Sequence, residues 1–214
     1  MSNHRFTPMF IEPPLLEVQY NGNLKSIRKY CKELKLNQVR GSSWISENYN
    51  VLDSLELADL KKFILDSLQL YNREVLLSEH EIEITQSWTS HQSYGEDHAK
   101  HHHANSFLSG VFYVQTCKES PPLVFESLFN QYNFSIVPEA PPDGSSTKAT
   151  SSSYNVSVND GSLFIFSSNQ PHYVPPNMID NERISLAFNT YFKGKTRFVP
   201  MSYNSAVSPR ATYK

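Results

Sequence analysis

The chain has 214 residues, enough for one well-buried core, and a sandwich of β-sheets of this length need not divide into two domains. Apolar residues make up 39% of it and aromatic residues 13%, a share that suits the packing of sheets. With a formal net charge of −2 and no basic stripe, the composition excludes a general nucleic-acid binder and a membrane-surface protein.

The first third of the chain is predicted to be helical and to support a sheet. Asn23 is placed to cap a helix that carries apolar residues at helical spacing from Leu24 to Leu34. Residues 37–50 are rich in Asn, Ser and Gly, which predicts a loop. We therefore expect residues 1–78 to form a helical N-terminal buttress.

A second helix is predicted after this loop. Asp53 and Glu56 are placed as a capping box at its start. Its apolar face runs at helical spacing from Leu57 to Tyr71. Both helices are most simply interpreted as amphipathic elements that pack their apolar faces on the sheet.

From about residue 80 the pattern changes to the period of two that is typical of strands. Ile82 and Ile84 alternate with polar residues, so one face of this segment is apolar. Further strands are expected in the short segments LSGVFYV, LVFES, YNVSV, SLFIFS and RISLAFNTYF, which are bounded by Pro, Gly, Asn and Ser. Helices followed by this many strands indicate a mainly β fold with flanking helices, in which residues 80–192 form a double-sheet jelly roll.

Residues 138–153 form the low-complexity stretch PEAPPDGSSTKATSSS, which cannot bury a core. Two interpretations stay open, a flexible loop near the mouth of a site and an exposed insertion without a role. The polar tail, residues 200–214, is expected to lie on the surface.

Half of the chain's eight histidines lie within six residues, as His98, His101, His102 and His103. Because successive strand residues point to opposite faces, His101 and His103 would point one way and His102 the other. His172 follows the predicted strand SLFIFS, and a sheet that curls into a jelly roll can bring it beside this pair. Three imidazoles would leave open positions on an iron ion, as in non-haem Fe(II) oxygenases.

Arg183 and Ser185 lie two residues apart, on one face of the last predicted strand. A guanidinium can hold a carboxylate with two parallel hydrogen bonds, and a hydroxyl adds a further donor. Tyr113, on the strand that follows the histidines, could supply a phenolic donor. The pattern is compatible with a dicarboxylate ligand that chelates the metal at one end and could be hydrogen-bonded by Arg183, Ser185 and Tyr113 at the other.

These residues together resemble the 2-oxoglutarate- and Fe(II)-dependent oxygenase superfamily. They are most similar to a small bacterial and phage-type branch with a motif of roughly G-x-x-H-x-x-H-x-H-x-x-x-x-x-S-G-V-x-Y. The matching residues are Gly95, His98, His101, His103, Ser109, Gly110, Val111 and Tyr113, followed by Gly161, Phe166, Pro171, His172, Arg183, Ser185 and Asn189. The resemblance implies a double-stranded β-helix, a cupin-like jelly roll. It also implies an enzyme that couples oxidative decarboxylation of 2-oxoglutarate to hydroxylation of a second substrate, with release of succinate and carbon dioxide.

The resemblance assigns roles to the matching positions. His101 and His172 match iron ligands of the family. Arg183, with Ser185 beside it, matches the residue that binds the far carboxylate of 2-oxoglutarate, and Tyr113 matches a tyrosine that often hydrogen-bonds the same carboxylate. The expected cofactors are Fe(II) and 2-oxoglutarate.

His103 departs from the family pattern, which usually places Asp or Glu at this position. An imidazole there makes a three-histidine site in which a neutral ligand replaces an anion. His103 is the expected third ligand, although Glu96, Asp97 or a water could instead complete the shell.

The other polar and aromatic residues near the cluster receive weaker assignments. His98 and His102 are expected either to orient a ligand ring or to be exposed. Trp88 precedes the cluster on a strand and could line the substrate pocket or only pack in the core. Asn189, within the matching region, is placed in the same group of candidates.

Two alternatives to the oxygenase are considered. A cupin-type metal enzyme that does not use 2-oxoglutarate would fit Gly95 and the His101-x-His103 pair, but Phe107 and Leu108 stand where its glutamate is expected. Arg183 would also lack a role in such an enzyme. A non-catalytic jelly-roll binding protein is the second alternative, and the joint presence of the histidines and the Arg-x-Ser pair argues against it.

The sequence does not identify the prime substrate. Peptide, free amino acid, nucleobase and small metabolite stay open as substrates, with O2 as the other reactant. The oligomeric state and outcomes such as halogenation stay open as well.

The N-terminus lacks a signal-peptide pattern, and no window approaches the roughly 18 apolar residues of a membrane span. Cys31 and Cys117 lie far apart in unlike contexts, as in a reduced chain. We therefore expect a single cytoplasmic domain over residues 1–214, in the host cytoplasm if a phage encodes it.

Overall fold

A computed structural model of the protein describes residues 13–39, 43–127 and 153–194. These residues form two α-helices, α1 (Leu24–Lys32) and α2 (Ala58–Glu74). They also form eleven strands: β1 (Leu16–Gln19), β2 (Leu36–Gln38), β3 (Trp44–Ser46), β4 (Ile82–Gln92), β5 (His98–His101), β6 (Leu108–Gln115), β7 (Leu123–Glu126), β8 (Ser153–Val156), β9 (Ser162–Ser167), β10 (His172–Val174) and β11 (Arg183–Phe192).

The strands make two antiparallel sheets that pack face to face. The larger sheet has seven strands in the order β1-β9-β6-β11-β4-β3-β2, and the smaller has four in the order β5-β10-β7-β8. Apart from β2–β3, β3–β4 and β7–β8, neighbours in both orders are not consecutive in sequence, which is the crossing connectivity of a jelly roll rather than of consecutive hairpins. The predicted fold class, mainly β with flanking helices, is confirmed.

Alternate residues of β6 enter two different cores. Phe112 and Val114 join the core between the larger sheet and the helices. Val111 and Tyr113 join the core between the two sheets. Because both faces of this central strand are covered, nearly all of its residues are buried.

The first predicted helix is confirmed, together with its cap. Helix α1 begins directly after Asn23, whose side-chain oxygen accepts a hydrogen bond from the Ser26 N–H at 3.2 Å. Its buried residues are Ile27 and Cys31, which lie on the predicted apolar face.

The predicted capping box of the second helix is wrong. Helix α2 follows Leu57, which caps it without a side-chain hydrogen bond. Two short 3₁₀ turns, Val51–Asp53 and Leu55–Leu57, lead into it instead, because Val51, Leu52 and Leu57 are buried in the core. Glu56 accepts a hydrogen bond from the Ser54 hydroxyl and so does not reach back to a cap.

The predicted loop at 37–50 is only partly a loop, and residues 1–78 are not helical throughout. Strands β2 and β3 pair with each other and extend the larger sheet beyond β4. Strand β1 extends the opposite edge by pairing with β9. Short polar segments become strands here because a neighbouring strand offers free backbone groups, which local composition does not reveal.

The strands predicted from residue 80 onward are all present. The low-complexity segment 138–153, apart from Ser153 at the start of β8, and the tail 200–214 lie outside the described residues. Cys31 and Cys117 are both free thiols, as predicted. No helix in the described ranges is long and apolar enough to cross a membrane.

Candidate metal centre and anion pocket

Two short strands at the edge of the smaller sheet bring distant histidines together. His172, the first residue of β10, lies directly opposite His101, the last residue of β5. His103 lies two residues further on, where its backbone N–H donates to the Ser168 carbonyl at 2.9 Å. The side-chain ligand atoms of these three histidines lie within 4.8 Å of one another. His103 Nε2 and His172 Nε2 are separated by 3.4 Å.

Backbone carbonyls select the tautomer of two of these rings. His101 Nδ1 lies 2.8 Å from the Ala99 carbonyl, and His172 Nδ1 lies 2.9 Å from the Gln170 carbonyl. A carbonyl oxygen can only accept, so each Nδ1 carries the proton and each Nε2 keeps a free lone pair. Metal-binding histidines are commonly oriented in this way, and the donor set therefore fits a metal ion.

The cluster holds no carboxylate among the residues that the structure describes. Glu96, one of the alternatives to His103, accepts hydrogen bonds from Trp44 Nε1 at 3.1 Å and from the Ser93 N–H at 2.8 Å. Asp97 is not part of the cluster either. The arrangement offers three neutral nitrogen donors, which suits a first-row transition metal.

Burial keeps these imidazoles neutral. Together with the smaller effect of the neighbouring rings, it lowers the pKa of His103 to about 4 and that of His172 to about 3. The pKa of His101 is lowered for the same first reason. At neutral pH the ligand nitrogens are therefore unprotonated and ready to coordinate.

The same cleft contains a buried cation. Arg183 is 2% exposed, and its Nη2 donates to the Tyr113 hydroxyl at 2.9 Å. Its Nη1 donates to the side-chain oxygen of Gln92, while its Nε has no hydrogen-bond partner in the described structure. Burial lowers the pKa of Arg183, and the nearby Tyr113 opposes this effect.

No described carboxylate forms an ion pair with Arg183. Its neighbour Glu182 instead contacts His91 Nδ1 at 3.1 Å and Lys32 Nζ at 3.8 Å. A surface salt bridge is therefore not the role of this arginine. A buried guanidinium without an anionic partner is costly, and a bound carboxylate would offset that cost.

Tyr113 is prepared to donate toward the same anion. It is fully buried and accepts from Arg183, so its own hydroxyl proton is still available. Burial raises its pKa, which keeps the phenol protonated. Ser185 pairs with Tyr113 across the two strands, and its side chain lines the same cleft.

Two further predicted residues, Trp88 and His98, line the cleft, and His102 does not. The Trp88 ring lies 5.8 Å from that of His103 and 6.2 Å from that of Tyr49. The His98 ring lies 4.8 Å from that of His101. His102 is exposed, as its opposite strand face predicts.

Asn189 does not line the cleft but supports its wall. Its side-chain oxygen accepts from the Ser109 hydroxyl at 2.9 Å, and its amide nitrogen donates to Gln86 at 3.2 Å. The Ser109 hydroxyl also contacts that of Ser168 at 2.8 Å. Since the Ser168 carbonyl holds the backbone of His103, this hydrogen-bond network connects Asn189 with the histidine cluster.

Sequence reasoning missed Gln92 and Ser43. Gln92 lies directly opposite Arg183 in the β4–β11 pairing, and this register cannot be read from either strand alone. The available sequence signal was that Gln92 follows Trp88 and Ser90 at every second position of β4, which places all three side chains on the same face of the strand. Ser43 contacts His98 from a short segment before β3, where no sequence signal exists.

A protein-family profile described as "Putative 2OG-Fe(II) oxygenase" matches residues 86–189. Curated protein sequences contain no match to the chain. All residues that line the cleft fall within the matched region. The match favours the oxygenase over the cupin-type enzyme and the binding protein that the sequence had left as alternatives.

Several solved structures share the fold at low sequence identity. A prolyl-4-hydroxylase of Pseudomonas putida is 16% identical, with a TM-score of 0.53, over 85% of this chain and 92% of that chain. HygX from Streptomyces hygroscopicus, solved with nickel, 2-oxoglutarate and hygromycin B, is 12% identical with a TM-score of 0.58, over 82% of both chains. The epimerase SnoN, in complex with Fe3+, α-ketoglutarate and nogalamycin RO, is 10% identical with a TM-score of 0.60, over 95% of this chain and 91% of that chain.

At these identities the structures establish the shared jelly-roll fold. The family profile adds the chemistry, because it spans the strands that carry the histidine cluster and the buried arginine. Residues 86–189 thus match the 2OG-Fe(II) oxygenases, and the protein is an enzyme that depends on Fe(II), 2-oxoglutarate and O2.

Proposed function

We propose that His101, His103 and His172 hold the Fe(II) and that Arg183 anchors 2-oxoglutarate in a hydroxylase that releases succinate and CO2. One observation carries this assignment: a buried guanidinium with no anionic partner among the described residues lies in the same cleft as three converging imidazole nitrogens. A dicarboxylate that also chelates a metal satisfies both features at once. Bound Fe(II) supplies the redox chemistry that activates O2.

The three histidines leave coordination positions free for the cosubstrate and for O2. The Nδ1–H groups of His101 and His172 stay hydrogen-bonded to backbone carbonyls, so these two rings are held in orientation before the metal arrives. His103 replaces the carboxylate that the family usually has, and all three protein ligands are then neutral. The anionic charge at the metal is therefore supplied by 2-oxoglutarate.

Arg183 and Tyr113 bind the far carboxylate of the cosubstrate. The guanidinium uses one N–H toward Gln92 and one toward Tyr113, which leaves other N–H groups, Nε included, for a carboxylate. The Tyr113 hydroxyl donates to the same group, and Ser185 adds a hydroxyl beside it. Charge-assisted hydrogen bonds of this kind are strongest where water is excluded.

Apolar side chains exclude that water. Val111, Leu123, Phe166 and Val174 line the cleft between the two sheets. Trp88 stands beside His103, with the half-exposed Tyr49 on its other side. We assign this aromatic pair to the prime substrate, a small molecule or a peptide that places a C–H group beside the metal.

An anaerobic titration of the protein with Fe(II) and then 2-oxoglutarate tests this function. We expect a weak visible charge-transfer band that is abolished in His172→Ala. In Arg183→Ala the protein keeps its metal and binds 2-oxoglutarate about 100-fold more weakly, since a buried charged hydrogen-bond donor is lost. Arg73→Ala, a change at an exposed arginine that pairs with Glu74, is the matched control.

Each other outcome of the titration has a definite meaning. Unchanged 2-oxoglutarate affinity in Arg183→Ala rejects the anchor assignment. Stoichiometric metal in His172→Ala rejects the ligand assignment. A wild-type protein that binds metal but shows no band with 2-oxoglutarate would reject the proposed cosubstrate site as a whole.

A further inference from the structure

His98 differs from the metal-binding histidines in the partner of its Nδ1. His101 and His172 each direct Nδ1 at a backbone carbonyl, which can only accept a hydrogen bond. His98 Nδ1 instead lies 3.2 Å from the hydroxyl of Ser43, a group that can donate. The rings are close neighbours in one cleft, yet their hydrogen-bond partners favour opposite tautomers.

A second serine sets the direction of this hydrogen bond. The Ser90 hydroxyl donates to the Ser43 hydroxyl at 3.2 Å, and both serines are buried. Within the described ranges, the Ser43 hydroxyl contacts these two side-chain partners, Ser90 and His98. If it accepted from both partners, its own proton would be used by neither, so we assign it to accept from Ser90 and to donate to His98 Nδ1. His98 then carries its proton on Nε2.

This tautomer makes His98 a hydrogen-bond donor rather than a metal ligand. A ligand nitrogen needs a free lone pair, and here Nδ1 is engaged while Nε2 is protonated. His98 is also outside the group of donors that lie within 4.8 Å of one another. It nevertheless lines the cleft, with its ring 4.8 Å from that of His101.

The location of His98 relates it to the anion pocket as well as to the metal. Its support, Ser90, lies directly opposite Ser185 in the β4–β11 pairing. On the same strand, Gln92 lies opposite Arg183 and accepts from it. The relay from Ser90 through Ser43 therefore presents the His98 N–H to the space between the metal cluster and Arg183.

We propose that His98 donates a hydrogen bond from Nε2–H to a carboxylate of bound 2-oxoglutarate, with Ser43 and Ser90 holding it in the donor tautomer. This inference rests on the cosubstrate site proposed above. It adds a neutral donor on the metal side of the cosubstrate to the Arg183 and Tyr113 donors at its far end. His98 is thus a binding residue for the cosubstrate and not a fourth ligand of the metal.

The affinity test compares two variants of His98 by anaerobic titration of the Fe(II)-loaded protein with 2-oxoglutarate. We expect His98→Leu to weaken 2-oxoglutarate binding about tenfold, because a hydrogen bond to a charged group is lost, and to leave Fe(II) affinity unchanged. His98→Gln should recover most of the affinity, since its amide can replace the donor. His102→Leu, a change at the exposed neighbouring histidine, is the matched control and should have no effect.

The tautomer is read separately by long-range ¹H–¹⁵N NMR on the Zn(II)-loaded protein, with Ser43→Ala for comparison. An Nε2–H signal for His98 that is weakened or lost in Ser43→Ala supports the relay. An Nδ1–H tautomer in the wild type overturns it, as does a loss of Fe(II) affinity in His98→Leu. Unchanged 2-oxoglutarate affinity in His98→Leu rejects this contact alone, whereas a wild type that fails to bind 2-oxoglutarate rejects the underlying cosubstrate site.

Discussion

The two halves of the cleft are built in different ways. Two of the three candidate metal ligands, His101 and His103, are only half-buried and lie on the margin of the smaller sheet, where β5 is an edge strand of four residues. The third, His172, is buried on the neighbouring strand β10. Arg183 lies on β11, which is flanked on both sides in the larger sheet and is almost wholly buried. The metal half depends on local backbone contacts, and the anion half on the core itself.

With the proposed assignments, this difference would let a jelly roll combine an exchangeable metal with a fixed anion pocket. A histidine at an edge can be removed without opening the core. A change in the anion pocket leaves buried hydrogen-bonding groups without partners, because Tyr113 and Gln92 both depend on Arg183. Mutations should therefore separate metal loss from cosubstrate loss, and their effects on stability should differ.

The largest change in Fe(II) affinity is expected when a histidine at the edge of the smaller sheet is replaced. His101→Ala removes one of the three proposed ligands, the half-buried last residue of the edge strand β5, and should weaken Fe(II) binding by at least about 100-fold, more than the loss of a supporting residue causes. The free energy of unfolding of the apoprotein should change little. Anaerobic metal titration and chemical denaturation measure the two quantities. A variant that loses stability and metal together would contradict the independence of the two halves.

Acid should affect the metal half selectively. The folded-state pKa values of His103, about 4, and of His172, about 3, lie below the usual value of 6.5, so the unfolded chain binds more protons at intermediate pH. The stability of the apoprotein is therefore full above about pH 6.5 and falls as the pH drops toward 4. The loss is about 1.4 kcal/mol for each unit of pKa difference, or several kcal/mol in total.

Denaturation curves between pH 7 and 4 measure this slope. His103→Gln should flatten it, because one of the titrating groups is removed. Arg183 and Tyr113 do not titrate in this range, so the pH dependence should come from the buried histidines of the cleft, which include His98, whose pKa burial lowers to about 4. A slope that is unchanged in the variant would contradict the assignment to the buried histidines.

A conservative change tests the geometry of the anion pocket. Arg183→Lys keeps the charge, but an ammonium cannot contact Gln92 and Tyr113 and also bind a carboxylate with two parallel hydrogen bonds. We expect 2-oxoglutarate affinity to fall about tenfold or more while Fe(II) affinity is retained. Isothermal titration of the metal-loaded protein provides both values, and wild-type affinity in this variant would show that charge alone is sufficient.

The smallest effect is expected for Tyr113→Phe. The ring keeps its place under Arg183, whose Cζ lies 4.8 Å from the ring centroid, and one hydroxyl donor is lost. We expect about a fivefold loss of 2-oxoglutarate affinity, which corresponds to about 1 kcal/mol for one hydrogen bond. The same titration measures it. A loss as large as that in Arg183→Lys would mean that Tyr113, and not Arg183, dominates the anchor.

Much of the fold was predictable because its strands have strong local patterns. Ile82 and Ile84 alternate with polar residues at the start of β4, and β6 is apolar throughout because both of its faces are covered. The edge strands β2 and β3 were not predictable, since they form by pairing beside β4 and carry no strand pattern of their own. The sequence also predicted the wrong start for α2, because two 3₁₀ turns precede this helix and no side chain caps it.

The candidate site divides in the same way. The sequence by itself determined which residues can do the chemistry: an His-x-His pair, a later histidine, and an arginine within an apolar strand are unusual enough to be recognised from residue type and spacing. Only the tertiary structure decided that His172 faces His101, that Gln92 holds Arg183, and that Ser43 directs His98. The physical reason is that these contacts join residues far apart in the chain, and the register of strand pairing, which neither strand encodes alone, brings them together.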